Sequence, residues 1–254
     1  MLSKNRIKQI NALQQKKFRT ASGTFVAEGH KVVAELLRSN MEIIEIFATA
    51  DWISAHAHEY HGVQISEATE AEIAKISAMQ TACNVVAEVR MLDNERNQLQ
   101  KDKLYLAMDS VRDPGNLGTI IRIANWFGID TILASSDCVD LYNPKVIQAS
   151  MGSAFRVRMQ YCNLAQTLDD ARKMGMPVYG TFLNGDNIYQ APLSANGIIV
   201  MGNEGHGILP ETEKMITKRL YIPTGASPEM APESLNVSTA TAVVCSEFLR
   251  RRLS

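Results

Sequence analysis

The sequence predicts an α/β protein in which residues 104–254 form a mostly parallel sheet covered by helices and a smaller α/β unit precedes it. Three observations carry this expectation. Short apolar runs such as Leu104–Met108 and Ile198–Met201 are the near-continuous strands of a sheet buried on both faces. Stretches of helical spacing alternate with them, the pattern of repeated strand–helix units. Loops concentrating Gly, Asn and Pro follow several of the strands, where such sheets bind ligands.

Along the chain, Thr24–Ala27 reads as a strand, and Val32, Val33, Leu36 and Leu37 fall at helical spacing. Ile43–Phe47 is a β-branched strand, Ala71–Ala78 a helix, and Asn84–Val89 alternates as a further strand. Met91–Lys103 is polar and reads as a linker, so the expected division is 1–92, 93–103 and 104–254. The second unit opens on Leu104–Met108. A helix at Asn116–Phe127, a strand at Thr131–Ala134, a helix at Pro144–Met151 and a strand at Phe155–Gln160 follow. Leu164–Met174 is a helix; Pro177–Phe182, Ile198–Met201 and Leu220–Ile222 are strands; a closing helix spans Ser234–Arg250. At 254 residues the chain holds one to two domains of typical size (about 150 residues).

The net charge of −1 excludes a uniformly basic nucleic-acid binder but not a local basic patch. Residues 1–20 hold Lys4, Arg6, Lys8, Lys16, Lys17 and Arg19 and no acid, whereas 42–95 is strongly acidic. Two readings stay open for the basic arm, a solvated helix face and contact with phosphate. The acids are expected to face solvent. Cys83, Cys138, Cys162 and Cys245 form no C-x-x-C pair, so neither a zinc knuckle nor a disulfide framework is expected. No secretory core or membrane-length apolar run is visible, and a cytoplasmic location is the expectation. His56, His58, His61 and Glu59 do not share one helical face and are expected to face solvent.

Three loops concentrate chemistry. In Asp109–Gly118, Asn116 is expected to cap the helix whose buried stripe is Leu117, Ile120, Ile121 and Ala124. Arg122 lies on another side, near a helix N-terminus that already favours anions, and reads as a phosphate or carboxylate contact. The second loop, Gly202-Asn203-Glu204-Gly205-His206-Gly207, follows an apolar strand. It matches neither the dinucleotide fingerprint nor a phosphate-binding P-loop. His206 within it is either a general base or a variable loop position. The third runs from Ile222-Pro223 to Ser234-Leu235-Asn236-Val237-Ser238, with Ser234 expected to cap the last helix.

Together and in this order, Asn116-x-Gly118-x-x-x-Arg122, Gly202–Gly205, and Ile222-Pro223 with Ser234–Ser238 resemble the SpoU (TrmH-like) family of RNA ribose 2′-O-methyltransferases. Asn143-Pro144-Lys145 and Ala149–Ser153 resemble its intervening segment. Residues 20–90, with Phe25–Gly29, resemble the RNA-substrate-binding domain that often precedes the catalytic one. The resemblance implies a deep trefoil knot, which chain topology alone would exclude by default, and a homodimer with its active site near the interface. It places S-adenosylmethionine against Thr181, Met201, Gly202, Ile222, Leu235 and Ser238, with no metal. Asn116, Arg122, Glu204, Ser234 and Asn236 match its active-site positions. The family assigns hydroxyl activation to the arginine; a guanidinium is a poor base, so anchoring phosphate and stabilising the developing alkoxide is the role expected here. The expected partner is RNA, with 23S rRNA ahead of tRNA, and neither DNA nor membrane; whether the role is housekeeping or antibiotic resistance stays open. The 226–233 loop is longer than in many relatives. Two alternatives stand beside this reading. A non-catalytic RNA-binding or assembly protein is disfavoured by the intact polar positions, and an ordinary small-molecule methyltransferase by the absence of an early Gly-rich strand–loop.

Overall fold

The computed structural model describes residues 2–81, 83–92, 98–227, 230 and 233–253. Positions 93–97 of the expected linker and 228, 229, 231 and 232 of the long loop lie outside the described residues. In chain order the elements are α1 (Lys4–Ala12), α2 (Lys16–Ser22), β1 (Thr24–Glu28), α3 (His30–Leu36), β2 (Ile43–Ala48), α4 (Ala50–His56), β3 (Gln64–Glu67), α5 (Glu70–Ile76) and β4 (Val85–Arg90). Then come β5 (Leu104–Met108), α6 (Pro114–Trp126), β6 (Thr131–Ser135), α7 (Pro144–Ser150), β7 (Arg158–Cys162), α8 (Leu164–Lys173), β8 (Val178–Asn187), β9 (Gly197–Met201), α9 (Pro210–Glu213), β10 (Lys218–Tyr221) and α10 (Val237–Leu253). Two compact units result: Met1–Asp93 with Asp140–Arg156, and Asn94–Val139 with Val157–Ser254.

The first unit holds a four-stranded sheet in the order β1-β4-β2-β3. Strand β4 runs antiparallel to β1 and β2, and β3 parallel to β2. The expected basic arm is not an arm. Ser3 caps α1, and Ile10 and Leu13 enter a core with Val26, Phe47, Ile73, Ile76 and Val86. Arg6 Nη2 donates to Glu45 at 2.6 Å and to Glu88 at 2.5 Å. Arg19 is 2% exposed and donates to Asp140 at 2.5 Å and to the Leu13 and Gln14 carbonyls. Arg6 and Arg19 are therefore structural, and Glu45 and Glu88 are buried acceptors rather than solvated acids. Lys4, Lys8, Lys16 and Lys17 stay exposed.

Within this unit, Tyr142 stacks on Phe25 with centroids 4.6 Å apart, and Phe155 lies 6.2 Å from the same ring. That burial explains why Phe155 falls in a 3-10 turn, Ser153–Phe155, while the strand expected there starts only at Arg158. Because Ile10 is fully buried, Ile10→Ala is expected to destabilise this unit by about 2–5 kcal/mol, read as a lowered urea midpoint. Deleting residues 1–19 would remove core as well as charge, so that deletion cannot isolate a phosphate-binding role.

The second unit holds a six-stranded sheet in the order β10-β8-β9-β5-β6-β7. Every pairing is parallel. Strand order reverses where β5 meets β9, and such a switch point leaves a crevice beyond the C-terminal strand ends. On one face Leu164, Leu168 and Ala171 of α8 pack on Tyr105, Leu133, Ile198 and Val200. Helix α6 packs against α10, and Phe248 of α10 meets Tyr179 edge-on at 5.0 Å.

Two capping expectations are corrected. Asp113 caps α6 by accepting from the Asn116 N–H at 2.8 Å, with Pro114 in the first turn; this leaves the Asn116 side chain free for other work. Helix α10 begins at Val237, and Asn236 Oδ1 accepts from the Ser238 N–H at 2.9 Å, so Asn236 rather than Ser234 closes that end. No described helix is long and apolar enough to cross a membrane.

Candidate active site

The first and second loops leave the C-terminal ends of the adjacent strands β5 and β9. The Asp109 N–H donates to the Met201 carbonyl at 2.9 Å, which extends that pairing to the start of both loops. Beyond it, Asn203 and Gly207 exchange two backbone hydrogen bonds of 3.0 and 2.9 Å, closing a tight turn around Glu204. Gly202 is required by space rather than by dihedral freedom: a Cβ there would lie 2.3 Å from the Gly207 carbonyl carbon.

One chain of hydrogen bonds joins all three loops. Asn116 Nδ2 donates to Glu204 Oε1. Asn236 Nδ2 donates to Asn116 Oδ1 at 3.0 Å. Asn236 Oδ1 accepts from the Ser238 N–H at 2.9 Å and the Ser238 hydroxyl at 2.6 Å. Each amide is thus oriented by a partner on a different loop, so neither Asn116 nor Asn236 is free to flip without breaking the chain.

The remaining expected residues take up separate positions. Thr181 Oγ1 donates to the Val200 carbonyl at 3.2 Å and approaches Met201 Sδ at 3.6 Å, which ties β8 to the end of β9. Ile222 is half-buried just past β10. Leu235 stays 47% exposed, an apolar surface beside Asn236 left without cover. Ser234 is exposed and makes no hydrogen bond with the described residues. Arg122 is likewise exposed, and its side chain has no hydrogen bond or ion pair among the described residues. It stands six residues beyond Asn116 on α6, about 9 Å along the axis.

Sequence reasoning passed over a second polar layer. Asp109, 1% exposed, accepts from the Leu209 N–H at 2.8 Å. Burial pushes its pKa up, against the pull of that bond and of one from Thr212. Ser110 has φ of 60°, a left-handed conformation that costs a non-glycine residue about 1–3 kcal/mol. Asp137 accepts from Ser135 at 2.6 Å, Ser110 at 2.7 Å and Arg112 at 2.8 Å. Burial opposes its ionisation, yet these donors outweigh burial and hold the carboxyl well below the usual range. The apolar strand running into Asp109 was the available signal for a buried carboxylate.

Other candidates lie apart. His56 Nδ1 pairs with Glu59 at 2.8 Å, and Trp52 Nε1 donates to His30 at 3.3 Å. Among the described residues no group of three or more His, Cys, Asp or Glu is arranged to hold a metal ion. His206 is exposed. At the C-terminus, Arg250 and Arg251 both donate to Glu247, each at 2.7 Å. The Arg250 bond leads in pulling the Glu247 carboxyl down to about 2, so those two arginines are partly neutralised.

Comparison with known proteins gives the family. The model of the SpoU rRNA methylase family matches residues 103–246, and that of an MRM3-like substrate-binding domain matches residues 4–87. The chain is 30% identical over 240 residues, 94% of each protein, to the 23S rRNA (guanosine(2553)-2′-O)-methyltransferase RlmP of Bacillus subtilis. A solved structure of a TrmH-family RNA methyltransferase from Porphyromonas gingivalis, described as putative, is 38% identical, covers 99% of both chains and has a TM-score of 0.87. An AdoMet-bound rRNA methyltransferase from Sinorhizobium meliloti is 29% identical, covers 100% of this chain and 97% of its own, and has a TM-score of 0.86. The matched range 103–246 spans all three loops that meet at the β5–β9 switch point, and the chain belongs to the SpoU rRNA methylase family.

Proposed function

We propose that this chain transfers a methyl group from S-adenosylmethionine to a ribose 2′-hydroxyl of 23S rRNA. The observation that carries the reading is the Glu204–Asn116–Asn236–Ser238 hydrogen-bond chain, which joins three loops at the sheet's switch point. Only RNA offers a 2′-hydroxyl, so DNA is excluded as substrate.

The residues present fit the cofactor. Gly202 lets the Gly207–Ile208 backbone close on the strand end and so shapes the loop, Thr181 fixes the neighbouring strand, and Ile222 and Leu235 supply apolar surface for an adenine. Ser238 holds Asn236 through its N–H and hydroxyl. When bound, S-adenosylmethionine supplies a methyl group on a sulfonium, already activated toward a nucleophilic oxygen. Arg122, mounted on α6 and without an ion-pair partner among the described residues, anchors the phosphate beside the target and stabilises the developing alkoxide as the hydroxyl passes its proton toward that phosphate. Glu204 orients Asn116, and Asn116 with Asn236 positions the ribose; Ser234, exposed beside them, contacts the nucleotide. The reaction calls for no metal, because the sulfonium is already an activated methyl donor.

The same reading extends to the assembly. Trp126 is 84% exposed on α6 and Leu253 80% exposed at the end of α10. Trp126 lies one turn beyond Arg122 on the same side of the helix. A second copy of the chain covers the side of α6 that carries Arg122 and Trp126 and places the active site near the interface. Trp126→Glu is expected to convert a dimer into a monomer in sedimentation equilibrium; an unchanged mass would place the interface elsewhere. The C-terminal part of residues 104–254 is threaded as a trefoil knot, residues 1–92 bind the RNA, and the work is cytoplasmic.

Labelled S-adenosylmethionine, the full chain and 23S rRNA test the reading together. Label is expected at one ribose, mapped as a hydrolysis-resistant 2′-O-methyl site. Label entering tRNA instead would reassign the substrate, and no transfer to either would favour a binding protein that retains the fold.

A further inference from the structure

We propose that Ser110 is a positioning residue: clamped in a left-handed backbone by Asp137 and Ser135, it sets the Gly202–Gly207 loop for S-adenosylmethionine. The inference rests on the reading that this loop holds the cofactor. None of the three motifs contains Ser110, Ser135 or Asp137.

Ser110 is fully buried, and its polar groups are all committed, two to residues 135–137 and one to the second loop. Its N–H donates to Ser135 Oγ at 2.9 Å. Its hydroxyl donates to Asp137 Oδ2 at 2.7 Å. Its carbonyl accepts from Asn203 Nδ2 at 2.7 Å. Asn203 is the hinge of the second loop. Its backbone exchanges both bonds with Gly207, and its Oδ1 accepts from the Gly205 N–H at 2.8 Å. The φ of 60° at Ser110 is what aims the carbonyl at Asn203. Rotation to an ordinary extended backbone would turn that carbonyl away and release the loop that carries Glu204. Asp137 is itself fixed, since Ser135 bonds its other oxygen at 2.6 Å and Arg112 adds a third donor. A strained, non-glycine backbone held by a saturated hydrogen-bond set beside a binding loop is a form of pre-organisation.

The ranking of two substitutions separates a positional role from a packing role. Alanine is nearer to serine in volume, so a packing role ranks Ser110→Ala above Ser110→Gly. Glycine takes positive φ without strain, so the positional role ranks Ser110→Gly above Ser110→Ala. Calorimetry with the full chain should show S-adenosylmethionine affinity falling about 10-fold in Ser110→Ala and only about 3-fold in Ser110→Gly. Asp137→Ala should match Ser110→Ala, and the double variant should be no worse than either single one. Affinity for 23S rRNA in filter binding should stay at the wild-type value throughout. The inference is overturned if Ala binds cofactor better than Gly, or if only thermal stability falls while cofactor affinity is unchanged. A wild-type chain that binds no S-adenosylmethionine would sink the functional reading beneath it; wild-type binding with an unaltered Ser110→Ala would sink this inference alone.

Discussion

Arg122→Ala is expected to lower single-turnover methyl transfer by about 10²–10³-fold, the scale of losing one charge-stabilising donor, while S-adenosylmethionine binds with unchanged affinity. The side chain is exposed and has no partner among the described residues, so its truncation breaks no fold contact. The neighbouring buried stripe Leu117, Ile120, Ile121 and Ala124 keeps α6 in place, and thermal stability should move by less than about 0.5 kcal/mol. Arg122→Lys keeps the charge but loses the planar fork, and should recover only part of the rate. Calorimetry, a thermal melt and a quenched-flow transfer assay on the same protein separate these effects. Loss of cofactor binding in Arg122→Ala would show that the residue belongs to the cofactor site instead, and full activity would remove it from the reaction.

Much of the second unit was legible because burial on both sheet faces leaves a local trace. Leu104–Met108 and Ile198–Met201 are apolar at every position, and both are central strands. The three motif loops were legible for a related reason, since Gly, Pro and Asn mark places where backbone rather than side chain must do the work. Within the first twenty residues, Arg6 and Arg19 were misread as part of a basic face because their deciding interactions are not local. Arg6 meets Glu45 and Glu88 across 39 and 82 positions, and Arg19 meets Asp140 across 121. Six cations with no acid in the first twenty residues outweigh the two buried apolar residues, Ile10 and Leu13, that turn the segment into core helix. Caps were misassigned for a subtler reason: Asp113 and Asn116 both suit a helix start, and only the position of Pro114 decides between them. The left-handed backbone at Ser110 left no trace, because serine carries no preference for positive φ; three partners from elsewhere in the unit impose it.

Gly202→Ala is expected to abolish cofactor binding, with affinity falling at least about 100-fold, or about 2.7 kcal/mol, in a protein that remains folded. A Cβ at this position would lie 2.3 Å from the Gly207 carbonyl carbon, 2.4 Å from the Ile208 nitrogen and 2.6 Å from the Gly207 oxygen. All are backbone atoms, so no rotamer change relieves the overlap. Their positions are fixed from several sides. Asn203 and Gly207 bond each other twice, Asn203 Nδ2 bonds the Ser110 carbonyl at 2.7 Å, and the Leu209 N–H bonds Asp109 at 2.8 Å. Making room for one methyl group therefore breaks the turn that presents Glu204 to Asn116. The core beneath, including Val200 and Ile199, is untouched, which is why global folding should survive. Gly205 supplies the contrast within the same loop. A Cβ there meets only Asn203 Oδ1 at 3.4 Å, an ordinary contact, so Gly205→Ala should weaken cofactor binding far less than Gly202→Ala. Calorimetry on both variants, with circular dichroism to verify the fold, checks the pair. Equal tolerance of the two substitutions would mean that the 202–207 turn is not the cofactor's seat; selective loss in Gly202→Ala ties cofactor affinity to the exclusion of a single methyl group at the end of β9.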